Sequence, residues 1–372
     1  MASDTHRFLL KGFALLPAVG LAVALAQSAP APASAASGGD CAAADGAKFI
    51  CDATNVEDLI AVPDTTWVIG SDLPSAAAPQ GYLHLFDTQH NSVTRVKPSE
   101  IAIKPDTSRF PDCPGAPDMS VFAPHGVDLQ KRGNGMWTLF VVNHGGREAV
   151  EMFDVDASQG TPQFAWVGCA VAPAHFWPDA VAVLPDGGMV VTSLWDPKDP
   201  KRVDKLTKGE PVGALDEWHA SKGWSTVPGT EGMSGPNGVI ATPDGKAVYL
   251  ALWSGHEVVR ISRGGGSPEV KRVKTDMLTD NLRWAPDGSI FVGGQTTTVE
   301  KVLDCFESKQ VNCDVPWRID RMDPKTLKSR MLIKPGVYGK LGAGTGAIEV
   351  GNELWVSTFR ADRIGRFALQ SM

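Results

Sequence analysis

A repeat constrains this chain more than any other feature. Six segments share one layout: a short polar pair, an alternating apolar strand, a turn, and a second apolar strand. They begin at Glu57-Asp58, Pro124-His125, Pro178-Asp179, Pro236-Asn237, Asp280-Asn281 and Thr345-Gly346, on average about 58 residues apart. In three of them the turn is Pro-Asp-Gly, at 185–187, 243–245 and 286–288. Proline presets φ, aspartate bonds its own backbone and glycine accepts positive φ, so each tripeptide joins a hairpin. Repeats of this length hold about four strands each, and closing them around an axis leaves only short, protected edges. The reading is all-β, a six-bladed β-propeller. No helical heptads are sustained, and the period exceeds the roughly 40–45 residues of a WD40 blade.

Composition agrees where it bears on the argument. Glycine (39) and proline (27) are abundant, as a turn-rich fold requires. The net charge of −7 argues against a nucleic-acid binder, which needs a basic surface.

The chain divides into a signal peptide (1–35), an N-terminal extension (36–55) and the propeller (56–372). Arg7 and Lys11 precede an apolar run from Phe13 to Ala26, and Ala33-Ser34-Ala35 has the form of a cleavage site. The run is short of the roughly 20 residues that span a bilayer, so no stable membrane span is expected after cleavage. Export to the periplasm or the medium follows. Six cysteines in an exported chain read as disulfides. Six allow 15 pairings, and sequence alone does not choose among them. Local spacing favours Cys41–Cys51 and Cys305–Cys313, which leaves Cys113 with Cys169.

The first strand of each blade lines the central channel, so the six polar pairs converge near one mouth. They bring Glu57, Asp58, His125, Asp179, Asn237, Asp280 and Asn281 together. Like charges held close repel unless a cation intervenes. Carboxylate and amide oxygens around one point suit Ca²⁺, which takes 6–8 oxygen ligands. The expectation is a central calcium-binding channel.

With these motifs the chain resembles the paraoxonase and gluconolactonase superfamily from about Val56 to Phe367. The resemblance rests on VEDLIAVP, FAPHGVDL, FVVNHGGREAVEMFDVD, GPNGVIATPDGKAVYLAL and LTDNLRWAPDGSIFVGG in combination. It implies a six-bladed fold with two calcium ions and hydrolysis of lactones and aryl esters. Carried over, an upper catalytic calcium is held by Glu57, Asn237, Asp280 and Asn281, and a deeper structural one by Asp58 and Asp179. His125 is the active-site base, with His144 second to it. The chain departs from the paraoxonase pattern at three places: Pro178 where an asparagine stands, roughly Leu194 for an aspartate, and Gln295 for a histidine. The first removes one ligand of the catalytic calcium.

The residues support the same chemistry. A cation with open positions polarises a carbonyl, and a neutral histidine takes a proton from water. The expected partner is a small-molecule lactone or ester. Two readings from other classes stand beside it: a strictosidine-synthase-like, non-hydrolytic enzyme, and a non-catalytic calcium-stabilised ligand-binding propeller.

Other motifs fail on inspection. His256-Glu257 is followed by Arg260, so the zincin pattern is broken. Asp154-Val155-Asp156 begins like an EF-hand loop but has Gln159 and Ala165 at its diagnostic positions. Gly232-Met233-Ser234-Gly235 misses the nucleophile elbow by one residue. The long insertion from Asp196 to Met233, with Trp218 and Trp224, reads as a lid or binding loop. Trp195 and Trp253 end strands that face the same mouth.

Overall fold

The computed structural model describes residues 41–369, apart from 77, 231 and 266. The signal peptide assigned to residues 1–35 lies outside the described residues.

Six small antiparallel sheets form the ring of a six-bladed β-propeller. The inner strands are Val56–Ala61, Pro124–Gly133, Pro178–Val183, Pro236–Ala241, Leu278–Trp284 and Gly344–Val350. Blade two carries an extra two-residue strand, Ala102–Ile103, parallel to Gln163–Val171. The three Pro-Asp-Gly turns sit between inner and second strands, and Gly187, Gly245 and Gly288 take φ of 87°, 67° and 80°.

Each sheet is covered on both faces by its neighbours, so the second strands are buried throughout, as in Ala247–Leu252, or at all but their first residue, as in Trp67–Asp72. Apolar side chains of successive blades interlock at six seams. Leu139 and Phe153 pack in the seam of blades one and two, and Trp317 and Val356 in that of blades five and six. Cutting a fully buried Phe153 to alanine costs about 3–5 kcal/mol. A seventh cluster, with Leu73, Leu206, Trp253 and Phe359, caps one mouth of the ring.

The ring starts earlier than residue 56. Lys48–Cys51, placed above in the N-terminal extension, pairs with Arg363–Ala368 as the outer strand of blade six. That sheet is therefore built from both ends of the propeller, and the disulfide Cys41–Cys51 pins its first strand. The other bridges are Cys113–Cys169 and Cys305–Cys313, the pairing that local spacing favours.

Candidate functional site

All six inner strands lose register where the polar pair sits. The shifts fall between Val56 and Asp58, Pro124 and Val127, Pro178 and Val181, Pro236 and Val239, Thr279 and Leu282, and Gly344 and Ala347. A bulge kinks a strand and re-aims a side chain. Repeated around the ring, it turns one polar residue per blade toward the axis. Small residues in the bulges let the inner strands approach. A Cβ on Gly126 would meet the Asp179 carbonyl oxygen at 2.5 Å, and one on Gly238 the Asp280 carbonyl oxygen at 2.4 Å.

The result is a pocket of about 630 Å³, counted to its solvent-open mouth. Its polar floor carries Glu57, His125, Asp179, Asn237 and Asp280. Trp177, Trp195, Trp253 and Leu194 form part of an apolar wall.

A relay runs down one side of the floor. Glu148 Oε2 is 2.6 Å from His144 Nδ1, His144 Nε2 is 3.1 Å from His125 Nδ1, and His125 Nε2 is 3.5 Å from Glu57 Oε2. Hydrogen-bond logic assigns the protons: His144 Nδ1–H donates to the carboxylate, so its Nε2 accepts from His125 Nδ1–H. The lone pair of His125 Nε2 is thereby aimed at the floor. Burial holds the His125 pKa well below the ordinary imidazole range, with His144 adding to the fall, so His125 is neutral. The ring of His144 stacks on Trp177 at 4.3 Å, which fixes its plane.

The acids opposite are strained electrostatically. Burial raises Glu57 well above the carboxylate range, and Asp280, Asp58 and Asp179 raise it further. Burial and then Asp280 and Asp58 do the same to Asp179. Asp280 is pushed up to about 7, chiefly by burial, against the opposing hydrogen bond from Gln295. Gln295, at the position of the third departure, holds Asp280: its Nε2 donates to Oδ2 at 2.6 Å, and its Oε1 accepts from Trp253 at 2.8 Å. Asn281 Nδ2 donates to Glu57 Oε1 at 2.7 Å. Two buried oxygens, Glu57 Oε2 and Asn237 Oδ1, have no hydrogen-bond donor. Among the described residues no three His, Cys, Asp or Glu side chains form a ready-made metal-binding group.

Asp58 acts on this floor through space, but its own hydrogen bonds lie elsewhere. Its Oδ1 accepts from its neighbour Leu59 at 2.9 Å, and its Oδ2 accepts from Val127 N–H at 3.0 Å and from the guanidinium of Arg283. Asp179 is instead beside Asn237, whose Nδ2 is 3.5 Å from its Oδ2. The two acids that the resemblance assigns to one deeper ion thus sit in different surroundings. Sequence reasoning missed Arg283, Asp128 and Glu148. An arginine inside the apolar run Leu282–Trp284, and an Asp-Leu pair repeated at 58–59 and 128–129, were the available clues.

The insertion from Asp196 to Met233 is only partly a mouth element. Its first half carries helix α1 (Arg202–Thr207), whose Leu206 joins the cluster at the mouth. Its second half supplies the two outer strands of blade three. Trp218 stacks on Phe110 at 6.4 Å and Trp224 donates to the Val171 carbonyl at 2.8 Å, so both tie blade three to blade two and neither lines the pocket. A helix the sequence reading did not anticipate, α2 (Val299–Glu307), places Val302, Leu303 and Phe306 on the pocket wall.

No protein-family model matches the chain, and no curated protein matches it in sequence. Solved structures do. A candidate gluconolactonase superposes with a TM-score of 0.51 at 16% identity, covering 88% of this chain and 95% of its own. A gluconolactonase of Xanthomonas campestris gives 0.50 at 12% identity, covering 89% and 92%. A luciferin-regenerating enzyme gives 0.50 at 11% identity, covering 86% and 95%. At these identities the likeness is one of fold.

Proposed function

We propose that this propeller is an exported, calcium-dependent hydrolase of lactones or related esters, with His125 as its general base. The observation that carries the reading is the chain of contacts from Glu148 through His144 to His125, whose Nε2 lies 3.5 Å from Glu57 at a floor of buried acids beneath an aromatic wall. The fold likeness to gluconolactonases supports the substrate class. Three disulfides suit an oxidising compartment.

The upper site fits a calcium ion. Its donors are hard oxygens, two of them buried and unsatisfied, and burial first, then mutual repulsion, raises the proton affinity of its carboxylates. Glu57, Asn237, Asp280 and Asn281 would hold the ion, with Asp179 beside them. Calcium there supplies Lewis-acid polarisation of the carbonyl and a counter-charge for the developing oxyanion.

The chain's own residues do the rest. The wall of Trp177, Trp195 and Trp253 takes the apolar part of the substrate and excludes water from it. His125 Nε2 accepts the proton of the attacking water as its oxygen bonds to the carbonyl carbon. The imidazolium that forms is steadied through His144 by the Glu148 carboxylate. As the C–O bond breaks, His125 returns the proton to the departing alkoxide.

Turnover of a panel of lactones and aryl esters, with and without chelator, tests this. Hydrolysis that chelation abolishes and calcium restores is expected. Calcium bound with no member turned over would favour a ligand-binding propeller or a non-hydrolytic enzyme.

A further inference from the structure

The deeper cation that the resemblance assigns to Asp58 and Asp179 does not fit the residues around Asp58. Each of its oxygens already accepts a hydrogen bond: Oδ1 from Leu59 N–H, Oδ2 from both Val127 N–H and Arg283. Its side chain is 4% exposed and that of Arg283 12%. The guanidinium also donates to the carbonyls of Val127 at 2.7 Å and Leu59 at 3.1 Å. A cation bound to a carboxylate and to inner-strand carbonyls is what a buried metal would be here, and an arginine side chain fills that role. Arg283 stands on the inner strand of blade five, whereas Leu59 and Val127 stand on those of blades one and two. Its side chain therefore crosses the channel and ties three blades together.

We infer that Arg283 is a built-in replacement for the deeper calcium, so that this propeller has one exchangeable calcium site, the upper one. The count of one rests on the function proposed above; the replacement does not.

The physical chemistry favours the exchange. A guanidinium stays charged at any pH a protein survives, and its five N–H donors in a planar fork match a carboxylate and several carbonyls at once. A second acid lies within its field. Asp128, on the inner strand of blade two, accepts from Leu129 N–H at 2.9 Å and from Val183 N–H at 2.7 Å. Two buried aspartates would repel without a positive charge between them, and Arg283 supplies one that cannot dissociate. With the lower cation covalently attached, the upper ion can leave without opening the ring.

The experiment is calcium stoichiometry by mass spectrometry of the metal, together with melting temperature, on the full mature chain. Wild type, Asn237→Ala, Arg283→Met and Arg283→Lys are each equilibrated with calcium and then with chelator. Wild type is expected to hold one calcium, Asn237→Ala none, and the chelated wild type to stay folded. Arg283→Met in chelator should melt lower by on the order of 10 °C, the cost of leaving a buried acid unpaired. Calcium should recover part of that loss by entering the vacated place. If Arg283→Met does not fold, Arg283→Lys keeps the charge and should fold with the wild-type stoichiometry. Two calcium ions in wild type, or one retained in Asn237→Ala, overturns the inference. So does Arg283→Met melting like wild type in chelator. Wild type without any calcium would sink the calcium-dependent function yet leave the replacement supported by the Arg283→Met loss.

Discussion

His125 Nδ1 and His144 Nε2 stand 3.1 Å apart, and that single contact leaves the other nitrogen of His125, Nε2, facing the floor of the pocket. Glu148, at 2.6 Å from the far nitrogen of His144, fixes the direction of the relay. The lone pair left on His125 Nε2 is the group that can take a proton.

On the proposed mechanism, His125→Gln should fold and bind calcium as the parent does but lose roughly 10²–10⁴-fold in kcat, the usual contribution of a general base. Steady-state kinetics on the best lactone checks it. Near-native turnover on every hydrolysed substrate would reduce His125 to a packing residue.

In the proposed mechanism Glu148 positions the histidine pair, and Glu148→Gln tests that role. A carboxylate only accepts at His144 Nδ1, whereas an amide can accept or donate. With glutamine the histidine pair can reverse its tautomers, and His125 Nε2 then presents a hydrogen instead of a lone pair. The expectation is a kcat lower by roughly 10-fold or more, with KM little changed and the acid limb of the pH profile displaced. A residue of merely structural importance would shift the melting temperature and leave the profile in place.

The buried acids give the calcium-free protein a pH dependence of definite sign. Asp280 has its pKa pushed up to about 7 in the folded state from a usual value of 3.8, and Glu57 and Asp179 are raised too. A raised acid favours folding while protonated, and that stability is lost as pH rises through the folded pKa. His125 works the other way, but chiefly below its unfolded value of 6.5. Between pH 7 and 8 the His125 contribution fades and the acids dominate. In chelator the melting temperature should fall across that window, and saturating calcium should flatten the slope by taking the place of the protons. A melting temperature in chelator that rises or stays level would contradict the crowding of these carboxylates.

The ring was legible because its evidence is repeated. Pro185-Asp186-Gly187 alone says little, but its recurrence at the matching place in blades four and five marks the hairpins. The polar pairs were legible as positions, yet the bulge that turns each one inward was not, since a register shift of one residue leaves no mark in composition. Arg283 illustrates the limit. It lies only two residues beyond Asn281, on the same face by strand alternation, but that it reaches Asp58 across the axis depends on the radius of the channel. Trp218 and Trp224 were misplaced for a similar reason: a long polar insertion can hold a blade's outer strands as readily as a lid.

Helix α2 supplies the last prediction. Its Val302, Leu303 and Phe306 wall the pocket, and the buried bridge between Cys305 and Cys313 clips its C-terminal end to the loop that follows. No charged or catalytic group of the floor belongs to this helix, so loosening it should alter substrate holding more than chemistry. Closing so short a loop is worth about 2–3 kcal/mol in the chain-entropy account, which for a ring of this size is a loss of only a few degrees in melting temperature. The double variant Cys305→Ala, Cys313→Ala should therefore still form the propeller. Its KM should rise most for substrates with large apolar groups, and kcat should stay near that of the parent. Kinetics on a series of lactones with lengthening alkyl chains measures this directly. A KM that does not change along the series would mean that α2 covers the mouth without touching the bound substrate.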